Sequence, residues 1–168
     1  MLLLLVRHAI AEDRVGFART GQADALRPLS GAGRKKMRPI AEAIHDLLPE
    51  ADLLLTSPLA RARQTAQILA GATDLAPLDC DALGPDADPD GLLRFLRTRS
   101  EARAAIAVGH EPSLGELAGL AVTGRGEPLF ALKKGGACLL EFASGWRAGG
   151  ASLVWLMLPG QLRRLAET

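Results

Sequence analysis

A chain of 168 residues, 48% of them hydrophobic, can bury a substantial core and does not require a second domain. Its 20 basic and 19 acidic side chains leave a net charge of +1, which excludes strong general attraction to nucleic acid or to a membrane surface. The two cysteines, Cys80 and Cys138, are too few for a disulfide framework or a Cys-rich metal site, so a reducing, cytoplasmic setting is expected.

The first element is an apolar strand, Leu2-Leu3-Leu4-Leu5-Val6, cut off by Arg7-His8. The run is too short for a signal peptide and no basic residue precedes it. No transmembrane run appears elsewhere. Residues 9 to 29 show no clear period and contain Gly16, Gly21 and Pro28, which predicts a long loop over the sheet edge. Ser30 can cap a helix from about Gly33 to Leu48, with Met37, Ile40, Ala41, Ile44, Leu47 and Leu48 at helical spacing. His45 falls on that helix and is expected at the surface. A short strand at Asp52 to Thr56 follows, and Ser57-Pro58 suits the N-cap and first turn of a helix reaching about Leu69.

Residues 71 to 88 form a Gly, Pro and Asp rich connection with room for a short strand near Leu75 to Leu78. A helix is predicted at about Pro89 to Arg99, with Leu92, Leu93, Phe95 and Leu96 inward, then a strand at Ala104 to Val108 and a helix at Pro112 to Val122. In the last third, Ala137 to Phe142, the turn at Ser144-Gly145 and a strand at Ser152 to Leu158 predict a hairpin. The alternation of strands and helices gives an α/β fold with a mostly parallel central sheet, the hairpin adding antiparallel or edge strands. No repeat, low-complexity tract or linker interrupts the chain, so residues 1–168 are expected to form one domain.

Three apolar runs end in chemically distinctive residues: Arg7-His8, Ser57-Pro58-Leu59-Ala60-Arg61 and Gly109-His110. If the three strands are parallel, their carboxyl ends share an edge, where open α/β sheets place ligands. A histidine held through one ring nitrogen can attack phosphorus with the other and form a phosphohistidine that water cleaves. Two arginines and the second histidine would then bind the nonbridging oxygens. Neighbouring positive charge lowers the pKa of His8, which must be neutral to attack. Arginine outnumbers lysine by 16 to 4, the lysines standing only at 35, 36, 133 and 134. Nucleotide composition can produce such a bias, so only arginines at strand ends count toward a site.

These residues resemble the histidine phosphatase superfamily, also called phosphoglycerate mutase-like, and within it the short SixA-type phosphohistidine phosphatases. The motifs that carry the resemblance are Arg7-His8 after the first strand, Arg27-Pro28-Leu29-Ser30 with Gly33, Ser57-Pro58-Leu59-Ala60-Arg61-Ala62 with Gln64-Thr65-Ala66, and Val108-Gly109-His110-Glu111-Pro112. The resemblance implies a three-layer α/β/α sandwich and a nucleophilic His8. It implies phosphate binding by Arg7, Arg61 and His110, and a further contact from Arg27. Ser30 and Ser57 are expected as caps that aim those loops. The segment Leu132-Lys133-Lys134-Gly135-Gly136 also resembles the short subfamily, without an evident chemical role. In the related acid phosphatases an aspartate after the second histidine donates a proton, which makes Glu111 a possible general acid. The alternative for Glu111 is support of a helix N-terminus; Glu12 and Asp13 are weaker acid candidates.

The family usually reads Arg-His-Gly, whereas Ala9 follows His8 here. If the glycine needs positive φ, alanine is strained; if it only keeps the pocket clear, a methyl is a small change. The span from about 71 to 103 is too short for the lid of larger relatives, and an open pocket suits a phosphorylated side chain on a protein. The expectation is therefore a phosphatase acting on protein phosphohistidine through a covalent intermediate, with no metal and no cofactor. Its partner would be a phosphorelay or phosphotransferase component, with no nucleic acid or membrane, and the chain would be a monomer. The runner-up is a small-molecule phosphomonoesterase on the same site, and a non-catalytic phosphohistidine-binding module comes after it. Binding alone needs arginines but no attacking imidazole. Other phosphate chemistries fail on the letters. Cys80 and Cys138 have Asp86 and Ser144 where a cysteine phosphatase needs arginine. Gln22-Ala23 stands where a phosphate-binding NTPase loop needs Lys and Ser or Thr. Two histidines flanked by arginines make a poor zinc site.

Overall fold

The computed structural model describes residues 1–99 and 101–167. Strand β1 (Leu2–Arg7) leads through a short helix α1 (Arg14–Ala18) and a 3-10 turn (Asp24–Leu26) to α2 (Gly31–Leu47). Then come β2 (Leu53–Thr56), α3 (Ala60–Thr73), β3 (Pro77–Asp79), α4 (Gly91–Arg97), β4 (Ala104–Gly109) and α5 (Ser113–Thr123). The chain closes with β5 (Ala137–Phe142), β6 (Ala151–Met157) and α6 (Pro159–Leu165).

The six strands form one sheet in the order β3-β2-β4-β1-β5-β6. The first four are parallel, β5 runs antiparallel to β1, and β6 antiparallel to β5. Alternating side chains of β1 explain its uninterrupted apolar run. Leu3 and Leu5 enter a cluster with Leu92, Leu96, Leu114 and Leu117 from α4 and α5. Leu4 and Val6 enter the opposite cluster with Met37, Ile40, Ala66 and Leu162 from α2, α3 and α6. Both faces of the strand are covered, which makes three layers, helix on sheet on helix. This is the α/β/α sandwich expected from the sequence.

Topology also fixes where a ligand can sit. The chain leaves β1 toward β2 by way of α2 on one face, and leaves β4 toward β5 by way of α5 on the other. Connections diverging from adjacent strands open a crevice at their carboxyl ends. Those ends carry His8 and His110.

Local expectations needed adjustment in four places. The stretch from 9 to 29 is not a bare loop: Asp13 caps α1 by accepting a hydrogen bond from the Gly16 N–H at 2.7 Å, and Ala11 bridges to Leu29. Helix α3 starts at Ala60 rather than at Pro58 behind a Ser57 cap, and it continues to Thr73 before Asp74 closes it in the left-handed conformation at φ 56°. Pro77 to Asp79 form β3 one to two residues later than expected. Helix α6 was not foreseen, because seven residues opening with Pro159-Gly160 carry too little periodicity to be read. Elsewhere the boundaries agree closely. Ser30 Oγ accepts from the Gly33 N–H at 3.0 Å as the cap of α2, and His45 is exposed on that helix.

Candidate active site

His8 sits one residue beyond β1, and its N–H donates to the Gly109 carbonyl at 3.0 Å, so the pairing of β1 with β4 extends to the histidine itself. His110 follows β4 directly. The two imidazoles therefore face each other, with ring centroids 5.0 Å apart. Both are buried, at 6% and 3% exposure. Burial, more than anything else, pushes His8 down to about 3, and the charges of His110, Arg61 and Arg7 push the same way. Burial likewise lowers His110 to about 4, with Arg61 and Arg7 adding to it. Both rings are neutral at pH 7.

The tautomer of His8 follows from its partner. His8 Nδ1 lies 2.7 Å from the Ala9 carbonyl, which can only accept, so Nδ1 carries the proton and Nε2 keeps a free lone pair. Ala9 makes this possible without strain. It is absent from the non-glycine residues with positive φ. Its methyl packs in the cluster with Leu29 and Met37, away from the cleft. The Ala9 N–H donates to Thr65 Oγ1 at 3.0 Å, and that hydroxyl donates to the Arg61 carbonyl at 2.7 Å. The Leu29 N–H donates to Gln64 Oε1 at 2.8 Å. One turn of α3 thus ties the His8 backbone to the Arg61 backbone and to the approach to α2, which gives Gln64 and Thr65 a physical role.

The guanidinium groups converge on the same cleft, a cavity of about 910 Å³ lined by Arg7, His8, Arg27, Arg61, His110 and Glu111 among others. Arg7 Nη1 donates to the Leu132 carbonyl at 2.6 Å. Arg61 Nη1 reaches the Asp24 carbonyl at 3.1 Å and its carboxylate at 3.2 Å. Arg27 Nε donates to Asp24 Oδ1 at 2.8 Å and Arg27 Nη1 to the Glu12 carbonyl at 2.9 Å. Among the described residues, three buried side-chain nitrogens lack a hydrogen-bond partner in the protein: Arg7 Nε, Arg61 Nε and Trp146 Nε1. Two of the three belong to the arginines that flank the imidazoles. Unsatisfied buried donors are rare in folded proteins, and two of them here belong to arginines whose side chains line the cleft.

Three supports were not assigned correctly from the sequence. Asp24 carries the Arg27 and Arg61 pair, and the hydrogen bond from Arg27 is the main reason its carboxyl is held below the usual range. An acidic residue three before Arg27 on a short turn was the available signal. Ser57 does not cap a helix: its hydroxyl lies 2.8 Å from His110 Nε2 and also accepts from the Leu59 N–H at 3.3 Å. The Leu132-Lys133-Lys134-Gly135-Gly136 segment gains a clear role. The Leu132 carbonyl holds Arg7 and its N–H donates to Glu111 Oε1 at 2.7 Å, while Gly135, at φ 76°, donates its N–H to the Arg7 carbonyl. Glu111 Oε2 accepts from the Gly115 N–H at 3.3 Å in the first turn of α5. Its carboxyl is raised by burial, against those two hydrogen bonds. Glu111 therefore supports backbone at a helix N-terminus while lining the cleft.

Residues 3–83 match the family model of the histidine phosphatase superfamily, branch 1. An uncharacterized protein of Picosynechococcus is 37% identical over 140 residues, which cover 81% of this chain and 82% of that one. The chain belongs to the histidine phosphatase superfamily. Its fold matches that of the protein histidine phosphatase SixA complexed with tungstate, with a TM-score of 0.81 at 22% identity over 96% of this chain and 99% of the other. A mycobacterial glucosyl-3-phosphoglycerate phosphatase complexed with VO3 matches with a TM-score of 0.71 at 17% identity, covering 92% of this chain and 98% of that one. At these identities the likeness is one of fold. Membership makes this histidine phosphatase a hydrolase of phosphorylated compounds. No helix among its described residues is long and apolar enough to cross a membrane, and no three His, Cys, Asp or Glu side chains among them cluster as metal ligands do.

Proposed function

We propose that this histidine phosphatase hydrolyses phosphohistidine on a protein partner, through a covalent phosphate on His8. The observation that carries the reading is the His8 tautomer. With Nδ1–H donated to Ala9, the Nε2 lone pair stands in a cleft flanked by Arg7 and Arg61, each with a buried N–H that has no protein partner. Nε2 attacks phosphorus, the bond from phosphorus to the substrate nitrogen breaks, and its electron pair stays on that nitrogen. The substrate imidazole, protonated on its other nitrogen, departs neutral. Water then attacks phospho-His8, the bond from phosphorus to Nε2 breaks with its electron pair returning to Nε2, the water's proton passes to solvent, and phosphate leaves with His8 restored. Arg7 and Arg61 stabilise the charge developing on the nonbridging oxygens, where one preorganised donor contributes about 3 to 4 kcal/mol. His110 donates from Nδ1 in the tautomer in which Ser57 donates to Nε2. Arg27 supports the same anion through Asp24 and from the cleft rim. The site residues need no metal or cofactor for these steps.

Access supports a protein substrate. Of the described residues between 71 and 103, only Pro85 and Asp86 line the cleft, so that span forms a rim and not a lid. SixA, whose fold this chain shares, is named a protein histidine phosphatase. A second reading, hydrolysis of small phosphate esters at the same site, is favoured by one observation: the raised Glu111 carboxyl faces the cleft and could protonate an alkoxide.

The test compares purified protein on a phosphohistidine protein, a phosphoserine peptide and sugar phosphates. Phosphohistidine is expected to turn over fastest. An acid-labile phosphate should be trapped on His8, and His8→Ala should abolish both label and hydrolysis. Label on another residue would overturn the mechanism, and faster turnover of sugar phosphates would transfer the reading to esters.

A further inference from the structure

The chain's cations divide into two kinds. Several arginines are paired: Arg27 and Arg61 with Asp24, Arg63 with Asp79, Arg94 with Asp88 and Asp90, and Arg97 with Asp90. Other cations among the described residues, the four lysines with them, make no such pair. Among the described residues none of Lys35, Lys36, Lys133, Lys134 or Arg163 has a carboxylate partner within ion-pair distance. The fold gathers Lys36, Lys133, Lys134 and Arg163 on one face. Lys36 on α2, Lys134 on the turn before β5 and Arg163 on α6 line one groove of about 210 Å³, whose apolar walls include Met37, Ile40 and Pro159. Exposed Lys133 and Leu158 extend this face beyond Pro159.

The groove is continuous with the cleft, because Ile10 and Lys134 line both. On a chain of net charge +1 this is a local concentration of positive charge, unbalanced by nearby pairing. Cations left unpaired around an apolar floor fit a partner that brings carboxylates and one apolar anchor.

We propose that this groove docks an acidic segment of the protein that carries the phosphohistidine, placing the phosphate in the adjoining cleft. The inference rests on the phosphohistidine reading of the site. It gives that reading a specificity element: the groove selects the partner by charge, while the cleft performs the chemistry. Each exposed pair contributes only about 0.2 to 1 kcal/mol, so three or four together give roughly a tenfold preference.

The test uses two peptides with the same chemically phosphorylated histidine, one flanked by Asp and Glu with a leucine, the other by Lys and Arg. Wild-type protein should show about tenfold higher kcat/KM on the acidic peptide, mainly through KM, and the preference should fade as the salt rises toward 1 M and screening shortens to about 3 Å. The charge reversal Lys36→Glu with Arg163→Glu should invert the preference and leave hydrolysis of p-nitrophenyl phosphate within about twofold. Both residues lie outside the cleft. Equal rates on the two peptides, or a preference that survives the double reversal, overturn the docking proposal while the phosphohistidine reading stands. Failure of wild-type protein on both peptides, with p-nitrophenyl phosphate still cleaved, overturns that reading instead, and the docking with it. A short RNA or a phosphatidylserine vesicle that binds wild type but not the double variant, without any peptide preference, assigns the groove to another anion and also overturns it.

Discussion

At the scale of single residues, this site is built from groups whose roles are set by what they already touch. His8 has the form that the proposed nucleophile needs, because the Ala9 carbonyl fixes its proton on Nδ1 and leaves the Nε2 lone pair free. Glu111 is the opposite case. Both its oxygens already accept from backbone N–H groups, and one of these belongs to Leu132, whose carbonyl holds Arg7. Glu111→Gln replaces an acceptor with an amide that must turn its NH2 toward one of those donors. The expected outcome is a loss of about tenfold, near 1.4 kcal/mol, from displacement of Leu132 and Arg7. That loss should be similar for an alkyl phosphate, p-nitrophenyl phosphate and phosphohistidine. Steady-state kinetics on the three substrates check it. A loss confined to the alkyl ester, whose leaving group needs a proton most, would make Glu111 the general acid.

At the scale of elements, the start of α2 shows how tightly the site is buttressed. A Cβ on Gly33 would lie 2.0 Å from the Ile10 carbonyl oxygen, two residues beyond His8, and that oxygen is backbone that cannot swing away. At Gly31, two positions earlier in the same turn, a Cβ meets nothing within 4 Å. Gly33→Ala should therefore destabilise the protein by about 3 kcal/mol, the upper range for overpacking, and disturb turnover through Ile10 and His8. Gly31→Ala should be neutral or stabilising by up to about 1 kcal/mol. Urea unfolding of the two variants tests the pair. Equal stabilities would mean that the contact between α2 and the His8 loop does not constrain the site. The glycine in the Arg27 to Gly33 motif is thus explained by close approach, since its φ is not in the left-handed range.

At the scale of the whole molecule, stability carries the signature of two neutral buried imidazoles. Unfolded histidine takes up a proton near pH 6.5, whereas His8 and His110 in the fold resist protonation down to about 3 and about 4. Between those limits the unfolded chain binds more protons than the native one. Stability is therefore fully present above pH 6.5 and is lost as pH falls toward 4, by up to about 1.4 kcal/mol per pH unit for each histidine. Urea midpoints at pH 7.5, 6 and 5 should decline in that order. His110→Gln should flatten the decline, because glutamine does not titrate. Depressed carboxylates such as Asp24 act at lower pH, whereas the raised Glu111 carboxyl binds its proton in the fold and opposes the decline, so the difference between wild type and His110→Gln isolates the imidazole contribution. A decline no steeper in wild type than in the variant would show that the ring is charged in the native protein.

The sequence by itself determined the elements and the chemical inventory. Apolar runs of five residues, too short for a helix and bounded by Arg7-His8 and Gly109-His110, fit strands covered on both faces, so Leu2 to Val6 and Ala104 to Val108 announce a parallel sheet. Residues that interrupt such runs with charge or imidazole, Arg7-His8 and His110, must stand at a strand end. Ser30 was legible as a cap because capping is a contact across three residues, encoded locally. The tertiary structure alone decided the rest, for the common reason that long-range partners leave no local mark. Strand order put β4 between β1 and β2 and so brought His110 within 5.0 Å of His8. Ser57 looked like a cap, and only the adjacency of β2 and β4 turned its hydroxyl to His110. Leu132, an apolar residue, holds Arg7 and Glu111 through main-chain atoms that every residue possesses, so no side-chain pattern could have revealed it.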